Sequence, residues 1–155
     1  MKITTYNTQL NEDRCCVLVK ENSVNYCPDF SKFTEPRHIY RLMCDVFKHN
    51  IQTEEYLYLL CLDVKGRLIG IFEISHGSAN ASICNPREIF MKGMLCNATN
   101  IILVHNHPSG DVVPSETDIN TARQLKEAAK IMGICFLDNM IIGEGYYSFK
   151  EMNLL

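Results

Sequence analysis

Residues 101–118 read IILVHNHPSGDVVPSETD, and this run decides how the rest of the chain is organised. Ile101–His107 is β-branched and apolar, the pattern of a buried strand, and Pro108 stops it. A glycine-containing loop follows, and Ser115 then opens a helix whose buried stripe is Ile119, Ala122, Leu125, Ala129 and Met132, with Gly133 as its stop. Side chains two apart on a strand share a face, so His105 and His107 are expected to project together from the strand end. Asp118 falls in the first turn of the helix. Ser115-x-x-Asp118 is also a capping arrangement, with Ser115 accepting from the Asp118 backbone N–H.

Working outward, Tyr56–Asp63 (YLYLLCLD) is short, apolar and aromatic, and predicts a buried strand. Lys65-Gly66 supplies a turn into a second strand, Leu68–Ile74. Upstream, Ile39, Leu42, Met43, Val46 and Phe47 recur at helical spacing, which predicts a helix over Pro36–Lys48. Asn85-Pro86 caps and opens another helix, carrying Ile89, Phe90, Met94 and Leu95. Ile134–Leu137, Met140–Ile142 and Tyr146–Phe149 read as three short closing strands. Residues 1–34 are the least regular part: Cys15–Lys20 suggests a short strand and Asn22–Thr34 a loop, so this segment is expected to be an N-terminal extension belonging to or packed on a domain spanning 35–155. Hairpin, helix, strand, helix, strands is the order of a mixed sheet with helices packed on it.

At 155 residues, 46% hydrophobic and 21% charged, the chain suits one globular domain. Fifteen Lys and Arg against 18 Asp and Glu leave a net charge of −3, so no overall basic field exists to displace phosphate counterions, and DNA binding is not supported by net charge. Arg87 and Lys92 on one predicted helix, with Arg123, Lys126 and Lys130 on another, are the material for a local basic face, or for two solvated helix surfaces. The longest apolar run is the seven residues Tyr56–Leu62, against roughly 20 for a membrane span. With no signal-like start, a cytoplasmic protein is expected, without a membrane partner. The eight cysteines are scattered without a C-x-x-C pair, which predicts reduced, structural thiols.

Two neutral imidazoles side by side form a ready chelate, and Asp118 can fold back over the strand end as a third ligand, with Asp111 on the loop as its competitor. Three protein ligands leave a fourth tetrahedral position open, the catalytic zinc pattern. The H-x-E and P-C-x-x-C pairs of nucleobase deaminases are absent. The letters His105-Asn106-His107 do not make a nuclease centre, because three consecutive strand residues cannot face one metal.

HNHPSGDVVPSETD resembles the H-x-H-P-S-G-(x)n-P-S-x-x-D signature of the RadC family, a branch of the JAMM/MPN metalloprotease superfamily, and the likeness extends through NPREIF upstream and GICFLDNMIIGEGYYSFKE downstream. The resemblance implies a three-layer α/β/α sandwich with a mixed sheet, cytidine-deaminase-like. It implies zinc held by His105, His107 and Asp118, Ser115 assisting an oxyanion, and a glutamate directly before the apolar strand as general acid/base. That position is Glu55, with Glu54 its nearest rival and Glu73 a weaker one. Many relatives have histidine where this chain has Asn85 and Asn139. The expected function is zinc-dependent hydrolysis of an amide or isopeptide bond in an unidentified protein or peptide substrate. The alternative is a DNA-repair-associated or accessory protein without peptidase activity. The loops at residues 76–80 and Ser109–Val113 are expected to border the cleft, with His76 a surface residue or a substrate contact, and an oligomer is possible through an exposed strand edge.

Overall fold

The structure, a computed structural model, describes residues 1–77 and 85–155, so the expected loop positions Ser78, Ala79 and Asn80, and Cys84, lie outside the described residues. In chain order the elements are β1 (Lys2–Leu10), β2 (Cys16–Asn25), α1 (Pro36–Phe47), β3 (Glu55–Leu62), β4 (Leu68–Gly77), α2 (Pro86–Leu95), β5 (Asn100–Asn106), α3 (Glu116–Met132), β6 (Cys135–Ile142) and β7 (Tyr146–Ser148). The strands form one mixed sheet in the order β2-β1-β4-β3-β5-β6-β7. The β1/β4 and β5/β6 neighbours run parallel and the rest antiparallel.

Both faces of the central strands are covered, which is why they read as continuous apolar runs. Leu59, Cys61, Ile101 and Leu103 face Ile89 and Phe90 of α2 and Ala122, Leu125 and Ala129 of α3. Leu60, Leu62, Ile102 and Val104 face Ile39, Leu42 and Met43 of α1. The result is the expected three-layer α/β/α arrangement. The helix ends follow the predicted chemistry: Pro36 and Pro86 occupy first turns, Asn85 and Ser115 accept backbone N–H bonds as caps, and Gly133 closes α3 at φ 66°.

Two regions depart from the reading of the sequence. Residues 2–25 are a hairpin that extends the sheet, where an irregular segment with one short strand was expected. Its first strand, KITTYNTQL, buries only Ile3 fully and therefore lacks an apolar alternation. It docks beside β4 because Gly70 leaves space for a ring: a β-carbon at Gly70 would stand 2.6 Å from Tyr6, which packs near Phe72. At the other end, Ile134–Leu137 and Met140–Ile142 are parts of one strand, β6. Asp138 and Asn139 read as a break, but both are buried within the strand. The Asp138 carboxylate accepts from the Ser148 hydroxyl and the Lys150 backbone N–H, and the Asn139 carbonyl accepts from Phe149 N–H. Burial raises the Asp138 carboxyl's pKa against the pull of these donors.

The seven described cysteines are free; Cys61 and Cys96 are buried as expected, whereas Cys135 is exposed. No helix of the described residues is long and apolar enough to cross a membrane.

His49, on a short 3-10 turn His49–Ile51, is 1% exposed and packs edge-on against Tyr58 at 5.2 Å. Neither ring nitrogen has a hydrogen-bond partner among the described residues. Burial, reinforced by His105, lowers its pKa from 6.5 to about 3. The unfolded chain therefore binds a proton that the folded chain refuses, and stability falls as pH drops from about 6.5 towards 3. Relative to wild type, His49→Leu is expected to flatten the acid limb of metal-free protein by about 1.4 kcal/mol per pH unit in that window. Urea unfolding of both proteins at pH 6.5, 5.5 and 4.5 measures the difference; parallel curves would refute it.

Candidate metal centre

Strand β5 places the two histidines. It pairs with β3 on one edge (Leu57↔His105) and β6 on the other (His105↔Ile141), and its last residues emerge between them. By alternation His105 and His107 share the face that carries Leu103, the side covered by α2 and α3. The chain then crosses the Pro108–Pro114 loop and enters α3, whose first turn brings Asp118 back over the strand end. His105 Nε2 stands 3.3 Å from His107 Nε2 and 3.2 Å from Asp118 Oδ1, and His107 Nε2 stands 3.7 Å from Asp118 Oδ2. These three residues could hold a metal ion, each offering an atom within 4.8 Å of the others.

Neighbouring groups orient each donor. His107 Nδ1 lies 2.7 Å from the Asp111 carbonyl, an acceptor only, so the neutral ring carries its proton on Nδ1 and leaves the Nε2 lone pair free. Asp111 thus contributes its backbone oxygen rather than the carboxylate weighed as a rival ligand; its Oδ1 accepts instead from Val113 N–H. Asp118 Oδ2 accepts from the Ser115 backbone N–H at 2.7 Å and the Ser115 hydroxyl at 2.6 Å, while Asp118 N–H donates back to Ser115 Oγ. This is the anticipated capping box. It occupies Oδ2 and leaves Oδ1 facing His105.

The charges reinforce one another. Burial acts to raise the Asp118 carboxyl, but the two imidazoles and the Ser115 hydroxyl outweigh it and hold the group well below the usual carboxylate range. The bond to Asp118 raises His107; burial opposes this, while the Asp111 carbonyl and the Glu55 charge add to it.

The three glutamates considered for the base separate by face. Glu55 begins β3 and shares by alternation the face of Leu57, which packs on the α2/α3 side with the histidines. Glu54 precedes the strand, and its carbonyl accepts from the Asn106 side chain. Glu73 lies opposite Tyr58 on the α1 side of the sheet, where it accepts from the Tyr58 hydroxyl and pairs with His76 at 2.7 Å. His76 stacks on Tyr56 on that same side, away from the histidine pair. Of the cationic residues considered together, Lys92 is buried, so it shares no exposed face with Arg87. Lys130 pairs with Glu127, and Arg123 donates to Asn120.

Sequence reasoning missed the support beneath His107. Gly110, at φ +85°, accepts from Glu144 N–H and lies against Gly143, where a β-carbon would drive into the Gly110 carbonyl. That contact seats the loop presenting the Asp111 carbonyl. Gly143→Ala is expected to weaken metal affinity about 10-fold or more with all three candidate ligands retained; unchanged affinity in a competition titration with a chelator would disprove the link. Ser115→Ala is expected to lower stability by about 1 kcal/mol through the lost cap, read from urea unfolding of metal-free protein.

Comparison with known proteins agrees with the motif. A family model described as the RadC-like JAB domain matches residues 33–154. A UPF0758 protein of Pelobacter propionicus is 45% identical over 130 residues, covering 82% of this chain and 55% of that protein. One from Clostridium acetobutylicum is 42% identical over 125 residues, covering 80% and 54%. One from Clostridium tetani is 46% identical over 103 residues, covering 66% and 45%. The chain spans about half the length of the curated relatives it matches. With its matched region enclosing the whole His105–Asp118 segment, the chain belongs to the RadC-like JAB domain family.

Proposed function

We propose that the protein is a zinc-dependent hydrolase of amide or isopeptide bonds in a protein or peptide substrate, acting in the cytoplasm. The supporting observation is the convergence of two imidazole nitrogens, 3.3 Å apart, on the Asp118 carboxylate, whose Oδ1 stands 3.2 Å from His105 Nε2 and whose Oδ2 stands 3.7 Å from His107 Nε2. Three ligands at about 2.0–2.1 Å from zinc in a tetrahedral shell stand about 3.3–3.4 Å apart; the spacings of His105 Nε2 to His107 Nε2 and to Asp118 Oδ1 match this, and all three residues offer an atom within 4.8 Å of the others. The donor set fits as well: two imidazoles, with the Nδ1 bond of His107 turning its Nε2 to the site, and a carboxylate held well below its usual pKa range. Zinc, when bound, supplies a Lewis acid and a water of lowered pKa.

The chain's own residues do the rest. Glu55, on the same face as the histidines but outside the ligand set, takes the proton of the attacking water and delivers it to the leaving nitrogen. Ser115 keeps Asp118 turned towards His105 through its two bonds to Oδ2. Its hydroxyl proton is directed at that oxygen, so an oxyanion role requires the hydroxyl to rotate towards the substrate. Proton transfer by Glu55 is the step on which hydrolysis, as opposed to metal binding alone, depends.

The test uses purified protein of the full sequence loaded with one equivalent of zinc and a quenched-fluorescence library of linear peptides and lysine-branched isopeptides. Cleavage is expected to be lost on chelation and restored by zinc. His107→Ala is expected to lose most of the metal while remaining folded. Glu55→Gln is expected to retain metal and melting temperature and to lose roughly 100-fold or more in turnover, with Glu54→Gln close to wild type. Absence of zinc binding by the wild-type protein, or full activity in Glu55→Gln, would refute the mechanism.

A further inference from the structure

Asn106 sits between the two histidines and, by alternation, faces away from them, so the proposed metal centre gives it no role. It is nevertheless 1% exposed, and both its side-chain oxygen and its nitrogen are hydrogen-bonded. Its Oδ1 accepts from the Tyr56 backbone N–H at 2.8 Å, and its Nδ2 donates to the Glu54 carbonyl at 2.9 Å. Because a backbone N–H can only donate and a carbonyl can only accept, the orientation of the amide is settled by its partners. The two groups it holds belong to the residues on either side of Glu55.

The contact has a structural logic. The β3/β5 ladder ends at Leu57↔His105, and His107 N–H turns to β6, donating to Ile142. No main-chain partner from β5 is therefore paired with the start of β3. The Asn106 carboxamide, itself a donor–acceptor pair with peptide geometry, extends the ladder by one more step from a side chain. On its other edge Glu55 is paired with Gly77 of β4. Glu55 is thus gripped from both edges while its side chain stays on the histidine face. One residue of β5 sets the base, and its two neighbours supply candidate ligands.

We propose that Asn106 is a positioning residue that fixes Glu55 relative to His105, His107 and Asp118 by holding the backbone at Glu54 and Tyr56. The proposal rests on the reading of Glu55 as the base. It predicts that, on the β5 edge, the spacing between base and metal is set by a side-chain amide rather than by the β3/β5 ladder.

Two variants test it, each measured metal-free and loaded with cobalt(II) as a paramagnetic probe. Asn106→Ala removes both bonds. Asn106→Asp keeps an acceptor for Tyr56 N–H and loses the donor to Glu54, and it remains informative should the alanine variant fold poorly. In metal-free Asn106→Ala, the Tyr56 amide is expected to exchange at least 10-fold faster by NMR, with Leu59 and Leu103 amides at wild-type rates. In the cobalt-loaded proteins both variants are expected to bind one metal per chain and to shift the paramagnetically displaced Glu55 methylene signals, while those of Leu103 stay in place. Glu55 signals unmoved in both variants would overturn the proposal, as would an unchanged Tyr56 exchange rate in Asn106→Ala. Undiminished hydrolysis by Glu55→Gln would remove the catalytic role from Glu55 without touching these readouts, so the two readings fail separately.

Discussion

Everything at the centre depends on strand β5 being paired on both edges, antiparallel to β3 and parallel to β6. A strand held in this way cannot slip by one residue without exchanging its faces: His105 would turn to the α1 side and Asn106 to the α2/α3 side. The cores on either face oppose that slip. Ile101 and Leu103 are locked against α2 and α3, Ile102 and Val104 against the α1 layer. Each fully buried aliphatic side chain contributes about 1.5–3 kcal/mol, so four of them together outweigh any local preference of the polar residues beyond. Register, and with it the direction of both imidazoles, is decided by hydrophobic packing well inside the sheet.

The polar residues then organise one another at short range. An ionised carboxylate and two imidazoles at a nearly dry strand end are expensive unless each finds partners. The partners come from separate pieces of chain: the Asp111 carbonyl from the loop and Ser115 from the helix cap. The start of α3 also points its positive end at Asp118, which favours the carboxylate form. The bonds that lower the cost of burial are the same bonds that set tautomer and orientation. Stabilising this cluster and aiming it are a single arrangement.

Much of this was legible because it is local. The alternation of His105 and His107, the Ser115–Asp118 cap and the stop at Gly133 each depend on residues a few positions apart, where strand and helix geometry alone decide. What stayed hidden lies far apart in the chain. The Asn106 bonds reach back 50 and 52 residues, and Gly143 meets Gly110 across the β5/β6 boundary. The N-terminal hairpin was obscured for another reason. Its strands lie at the sheet edge and bury little, so the period-2 pattern that betrays a strand is almost absent from Lys2–Leu10. Asp138 and Asn139 misled in the opposite sense, since turn-forming residues sit comfortably in a strand once β7 and the chain after it satisfy them.

The same separation explains how this centre can change without the fold changing. The layers that carry stability meet at Leu59, Leu60, Leu103 and Val104, inside the β3/β5 ladder, whereas His105 occupies its last step and His107, Glu55 and Asn106 lie just beyond it. A substitution at the strand ends removes a few hydrogen bonds, each contributing about 0.5–1.5 kcal/mol net, and leaves the packed layers intact. Such a centre can lose its chemistry while the domain persists as a folded module. Membership of the family therefore speaks for the scaffold more strongly than for catalysis.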